Sequence, residues 1–136
     1  MIGNPEIVGP AAHLNERDLE LAKSFPEAAV LQAYIEIERV TGQIRSFTEA
    51  LPVSQPLSVA AQLVNRGLID RNTYELFKTL RRARNAAAHG STRDGVSSVE
   101  AIEFVNQARL LREILEKVLE KLRLECPIAE QGHLPI

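Results

Sequence analysis

Apolar residues recur along this chain at steps of three and four, which places them on one face of an α-helix turning about 100° per residue. Val30, Tyr34, Ile37, Thr41, Ile44 and Phe47 form the first long stripe. The segment Ser24-Phe25-Pro26-Glu27 ahead of it reads as a capping box with proline in the first turn, and Pro52 and Pro56 lie beyond its end. The spacing therefore predicts a helix from about Pro26 to Ala50. A shorter one is expected from Glu16 to Lys23, with Asn15 as its cap and acids in its first turn. Leu57, Ala60, Ala61 and Val64 predict a third, from Leu57 to Arg66, closed by Gly67. Asp70 can cap a fourth, running to His89 with Leu76, Leu80, Ala83 and Ala87 as its stripe. A second capping box, Ser97-Ser98-Val99-Glu100, opens a last helix reaching about Glu125, with Ile102, Val105, Ala108, Leu111, Leu115, Val118 and Leu122 inward.

No strand alternation, internal repeat, glycine-rich phosphate loop or low-complexity tract interrupts this pattern. The expected fold is all-α, an up-and-down bundle of four to five helices. Residues 1–13, with Gly3, Pro5, Gly9 and Pro10 and no period, read as an extended arm. Residues 14–126 form the single bundle domain, and 127–136 an irregular tail. Leu110, Ile114 and Leu124 widen the apolar arc of the last helix, so a second surface there calls for cover, by the N-terminal helix or by another copy.

Composition narrows the function. The 136 residues are 45% hydrophobic, enough for one well-formed core. Sixteen basic against eighteen acidic side chains give a net charge of −2, so any contact with RNA must rest on a local patch. There is no tryptophan, and four phenylalanines with two tyrosines offer no platform for stacking bases. The single cysteine, Cys126, excludes an intrachain disulfide and a cysteine zinc site. With no secretion signal at the start and no apolar run long enough to span a bilayer, the segment is expected to be cytoplasmic and free of membrane contact. A longer parent protein with a membrane anchor stays compatible with that.

The candidate chemistry is concentrated in Leu80 to Gly90, LRRARNAAAHG. Arg81, Asn85 and His89 follow one another at steps of four on a helix, with Arg84 on the adjoining face. An imidazole exchanges protons near neutrality, and a guanidinium binds phosphate through paired hydrogen bonds without losing its charge. RNA cleavage through its own 2′-hydroxyl needs those two functions and no metal or other cofactor. Ala86, Ala87 and Ala88 would let a helix or a substrate backbone come close.

Arg84-Asn85-Ala86-Ala87-Ala88-His89 resembles the Arg-x(4–6)-His motif of the HEPN superfamily, whose nuclease members often carry a polar residue after the arginine. "PEAAVLQAYIEIERV" is similar to a first bundle helix of that superfamily, and "LVNRGLIDRNTYELFKTLRRARNAAAHG" to its motif helix with the lead-in, so the likeness spans Pro26 to Leu124. The resemblance implies a site assembled from both copies of the motif in a homodimer. His89 would then act as general acid or base and Arg84 would stabilise the charged phosphate. Asn85 would orient one of them, and Arg81 would add affinity for RNA. Many superfamily members are non-catalytic, so the alternative is a dimerisation or regulatory module of a toxin–antitoxin, defence or sensor protein with a protein partner. In that case Arg84 pairs with a helix carboxylate such as Glu38, which lies on the flank of the first stripe, and His89 simply favours a helix C-terminus. An unrelated bundle carrying these residues by coincidence is the third reading.

Overall fold

A computed structural model describes residues 14–48, 55–89 and 95–125. All regular structure among them is helical: α1 (Glu16–Ser24), α2 (Pro26–Arg45), α3 (Pro56–Asn65), α4 (Arg71–His89) and α5 (Ser98–Glu125). The chain is the all-α helical bundle that its periodicity predicts. None of these helices is long and apolar enough to cross a membrane. The expected arm 1–13, Gly90 with the loop 91–94, and Cys126 with the tail 127–136 lie outside the described residues.

Local capping sets most of the helix ends. The Asn15 side chain accepts from the Asp18 N–H at 2.7 Å, and Asp70 accepts from the Thr73 N–H at 2.7 Å. The box at Ser97 forms in both directions: the Ser97 N–H donates to Glu100 at 2.9 Å, and the Glu100 N–H donates to the Ser97 hydroxyl at 3.1 Å. Each such cap supplies a partner to an otherwise orphaned N–H, a contribution of about 1 kcal/mol. Gly67, at φ +74°, closes α3, with Leu68 N–H donating to Leu63 C=O and Gly67 N–H to Val64 C=O. That pair of bonds is a Schellman closure, which needs a left-handed residue at this point.

The box expected at Ser24–Glu27 does not form. Ser24 is still helical in α1, and its hydroxyl lies 3.5 Å from Glu20. Phe25 instead serves both helices, its N–H donating to Leu21 C=O and its C=O accepting from Ala29 N–H. Helix α2 also stops at Arg45, short of the expected Ala50. The Ser46 and Thr48 hydroxyls donate to the carbonyls of Gln43 and Arg45, competing with further helix in the way short hydroxylated side chains do. Residues 49–50 fall outside the described set.

The chain divides into two compact units, the described residues of Met1–Glu36 with Thr79–Leu110, and those of Ile37–Lys78 with Leu111–Ile136. The division runs through α2, α4 and α5, not through a linker. In the first unit α1 and parts of the three long helices bury Ala22, Ala29, Val30, Tyr34, Leu80, Ala101, Phe104 and Ala108. In the second, α3 and the remaining parts of those helices bury Ile37, Val40, Ile44, Val59, Leu63, Phe77, Leu111, Leu115 and Leu122 among others. Each fully buried Leu, Ile or Phe contributes roughly 1.5–3 kcal/mol relative to exposure. Thr41, also buried, donates its hydroxyl to Ile37 C=O at 2.7 Å, so no polar atom is stranded there.

The α2 stripe is as expected from Val30 to Ile44, with Phe47 beyond the helix end and half-buried, but three others are rotated. Helix α3 buries Val59, Ala60 and Leu63, leaving Leu57, Ala61 and Val64 half-buried. Helix α4 buries Phe77 and Leu80, while Leu76 and Ala87 are half-buried and Ala83 is exposed. The first turns of α5 bury Ala101 and Phe104, with Ile102 and Val105 half-buried. In α4 and α5 a phenylalanine wins the inward position from an aliphatic neighbour, because its larger apolar area gains more from burial.

Candidate functional site

The last two turns of α4 belong wholly to the first unit. Leu80 is buried in its core, and Arg84, four residues on, follows it on the same side of the helix, half-buried. A charged side chain in such a position needs compensating partners. It has two. Its Nη1 donates to the Asn85 side-chain oxygen at 3.0 Å, and its guanidinium carbon stands 5.8 Å from the centre of the Tyr34 ring. The ring is almost fully buried and presents its electron-rich face to the cation, an attraction of about 0.5–2 kcal/mol.

Asn85 is half-buried, and Arg81, Arg82 and His89 are exposed. Helical geometry places Asn85 and His89 about 40° apart around the axis, one turn from each other, whereas Arg84 and His89 are about 140° apart. Asn85 therefore stands between an inward guanidinium, which it accepts from, and an outward imidazole in the final turn. Its amide NH2 retains donors that the bond to Arg84 does not use. Arg84 likewise commits one N–H to that bond out of five. Glu38, the suggested carboxylate partner of Arg84, falls in the other unit and is half-exposed. Among the described residues Arg84 has an amide and a ring as partners.

The opposite face of the same two turns borders a half-open hollow of about 240 Å³. Ala83, Ala86 and Ala87 line it together with Val30, Val96 and Phe104. Glu100 at its edge is already engaged by the Ser97 N–H. The hollow is apolar and holds none of Arg81, Arg84, Asn85 or His89. The alanines thus make close approach possible, but on the side away from the polar residues, of which Arg81 and His89 are exposed and Arg84 and Asn85 half-buried.

A second fixed point lies where the chain enters α5. The Glu27 carboxylate accepts from the Val96 N–H at 3.0 Å, 69 residues further on. That bond, then one from its own N–H, holds the Glu27 carboxyl below the usual carboxylate range. Gly95 beside it has φ +73°, and a Cβ there would stand 2.6 Å from the Glu27 oxygen. A side chain at 95 would be strained and would also displace the carboxylate. The Ser98 hydroxyl adds a bond to Lys23 C=O at 3.2 Å. Together these contacts tie the start of α5 to the joint between α1 and α2.

Tyr34 and Glu27 are the site-forming residues that periodicity did not single out. Tyr34 counted only as a core residue of its stripe, and Glu27 as one half of a cap. Neither segment carries a local signal of its partner, because both partners are remote in sequence.

Comparison with family models, with curated proteins and with solved structures gives no match to this chain.

Proposed function

We propose that this is an HEPN-like domain acting as a metal-independent endoribonuclease in the cytoplasm, with two copies of the α4 terminus contributing to the site. The observation that supports it best is the linkage of Arg84 to Asn85 at 3.0 Å, one helical turn from an exposed His89. His89 takes the proton from a ribose 2′-hydroxyl. The 2′-oxygen bonds to phosphorus, the bond from phosphorus to the 5′-oxygen breaks, and the leaving oxygen receives a proton from the second copy's imidazolium. Arg84, held by the Tyr34 ring and the Asn85 amide, turns its free N–H groups to the charge that builds on the phosphate. Arg81 attracts the neighbouring phosphates. The products are a 2′,3′-cyclic phosphate and a 5′-hydroxyl.

The second reading is a non-catalytic dimerisation or regulatory module. The half-burial of Arg84 against Tyr34 favours it, since a cation stacked on a core ring also serves to hold a helix in place. Cleavage of single-stranded RNA in EDTA by the wild-type protein and its loss in Arg84→Ala, with unchanged helical circular dichroism, support the enzyme. A cleavage-deficient wild type, with Arg84→Ala lowering the melting temperature by several degrees, supports the module.

A further inference from the structure

The apolar hollow beside the end of α4 has an acidic rim. All of its described lining residues belong to the first unit, and Val30, Ala86, Ala87 and Phe104 give it a hydrocarbon wall. Glu100 lines it as well. Its Oε1 accepts from the Ser97 N–H at 2.9 Å, and its Oε2 has no hydrogen-bond partner among the described residues. A second carboxylate stands close by. The Glu27 Oε2 accepts from the N–H of Val96, a lining residue, and Gly95, which lines the hollow too, has room for that oxygen only because it lacks a Cβ. The Val96 bond lowers the Glu27 carboxyl, which is therefore charged at neutral pH. No lysine, arginine or histidine is among the described lining residues.

Size and charge together select what fits. The volume of about 240 Å³ exceeds the roughly 150 Å³ at which an apolar cavity takes up benzene, so it accommodates one ring with a short chain attached. An anion there would meet two negative charges and no cation to pair with. A purely apolar molecule would strip water from the second oxygen of Glu100 and give it no donor in exchange. An ammonium group donates to that oxygen, at the rim where both carboxylates attract it, while the ring takes the wall out of water. We propose that the hollow binds a small primary amine carrying a single hydrocarbon ring, with the ring against Val30, Ala86, Ala87 and Phe104 and the ammonium on Glu100, and with Glu27 as the second negative charge.

This site does not depend on the ribonuclease reading. It uses none of Arg81, Arg84, Asn85 or His89, and its ligand carries the charge opposite to that of a phosphate. Amine binding and RNA cleavage are measured separately, so either can fail without the other. A ligand of about nine non-hydrogen atoms at a half-open site binds in the high-micromolar to millimolar range.

The test titrates phenethylamine into the isotope-labelled 136-residue chain, with phenylethanol as its neutral counterpart of the same shape, and follows the backbone amide signals by NMR. The amine is expected to move the signals of Val30, Ala86, Ala87 and Phe104 and to bind about fivefold more tightly than the alcohol, the scale of a charge pair at an exposed rim. Glu100→Gln, which keeps the capping bonds, removes most of that difference and leaves the alcohol's affinity unchanged. Ala86→Leu and Ala83→Leu each put a larger side chain into the hollow and weaken both ligands at least tenfold. Ala83 is exposed, so leucine there leaves the core as it is. Lining signals that do not respond to the amine overturn the inference. So do equal affinities for amine and alcohol in the wild type, an undiminished preference for the amine in Glu100→Gln, and unchanged binding in both leucine variants.

Discussion

At the scale of single residues, polar atoms inside the molecule differ in whether they have partners, and the difference has measurable consequences. Arg84 has a ring and an amide, and Thr41 a carbonyl. The Oδ1 of Asn106 is buried without a partner among the described residues. Such an acceptor costs its full desolvation, so Asn106→Leu, similar in volume, is expected to stabilise the fold by about 1 kcal/mol in chemical denaturation. A destabilised variant would mean that this oxygen is in fact bonded. Glu27 makes a pH-dependent contribution. Its folded carboxyl titrates below the usual range because of the Val96 N–H, so its contribution is fully present above the ordinary carboxylate value, about 4.3, and is lost as pH falls through the lowered folded value. Glu27→Gln should therefore be less stable than wild type at pH 7, with the gap closing in acid. A gap of constant size from pH 7 to pH 3 would show that the charge on Glu27 is not what binds Val96. In the sequence, caps were legible at Asn15, Asp70 and Ser97 because donor and acceptor are three residues apart. The Glu27–Val96 bond was not, since nothing local distinguishes a glutamate that caps its own helix from one that reaches a distant loop.

At the scale of helices, number, order and approximate ends followed from periodicity and punctuation, and α4 runs from Arg71 to His89 as expected. Rotation about the helix axis was less legible. One residue of register is about 100°, and α4 offers two competing inward sets, one through Leu76 and one through Phe77. Packing chose Phe77. That choice also turned Arg84 toward the core side, onto a ring supplied by another helix, while leaving His89 outside. Conformational entropy gives a direct test at this scale. Gly42 lies inside α2, and a Cβ built on it meets nothing within 4 Å. Gly42→Ala should stabilise the protein by about 0.5–1 kcal/mol, by limiting the unfolded chain and raising helix propensity. A lower melting temperature would indicate that another surface approaches α2 at that point.

At the scale of the molecule, net charge bears on the proposed ribonuclease reading. With a net charge of −2 the chain has no general attraction for phosphate, so the proposed RNA binding would draw on the three arginines Arg81, Arg82 and Arg84 at the end of α4. Two of them are exposed and the third is braced by Tyr34. The candidate residues were legible in the sequence as a helical repeat of polar side chains. That Arg81 and His89 are exposed while Arg84 turns onto Tyr34, with the apolar hollow on the opposite face, was not legible, because a periodic pattern does not say which side of a helix its neighbours occupy. The most direct test incubates single-stranded RNA with wild type and His89→Ala in EDTA and examines the termini produced. Fragments ending in 2′,3′-cyclic phosphate from the wild type, and none from a His89→Ala protein of equal helicity, are the expected result. Intact RNA with the wild type, or equal cleavage by both proteins, contradicts it.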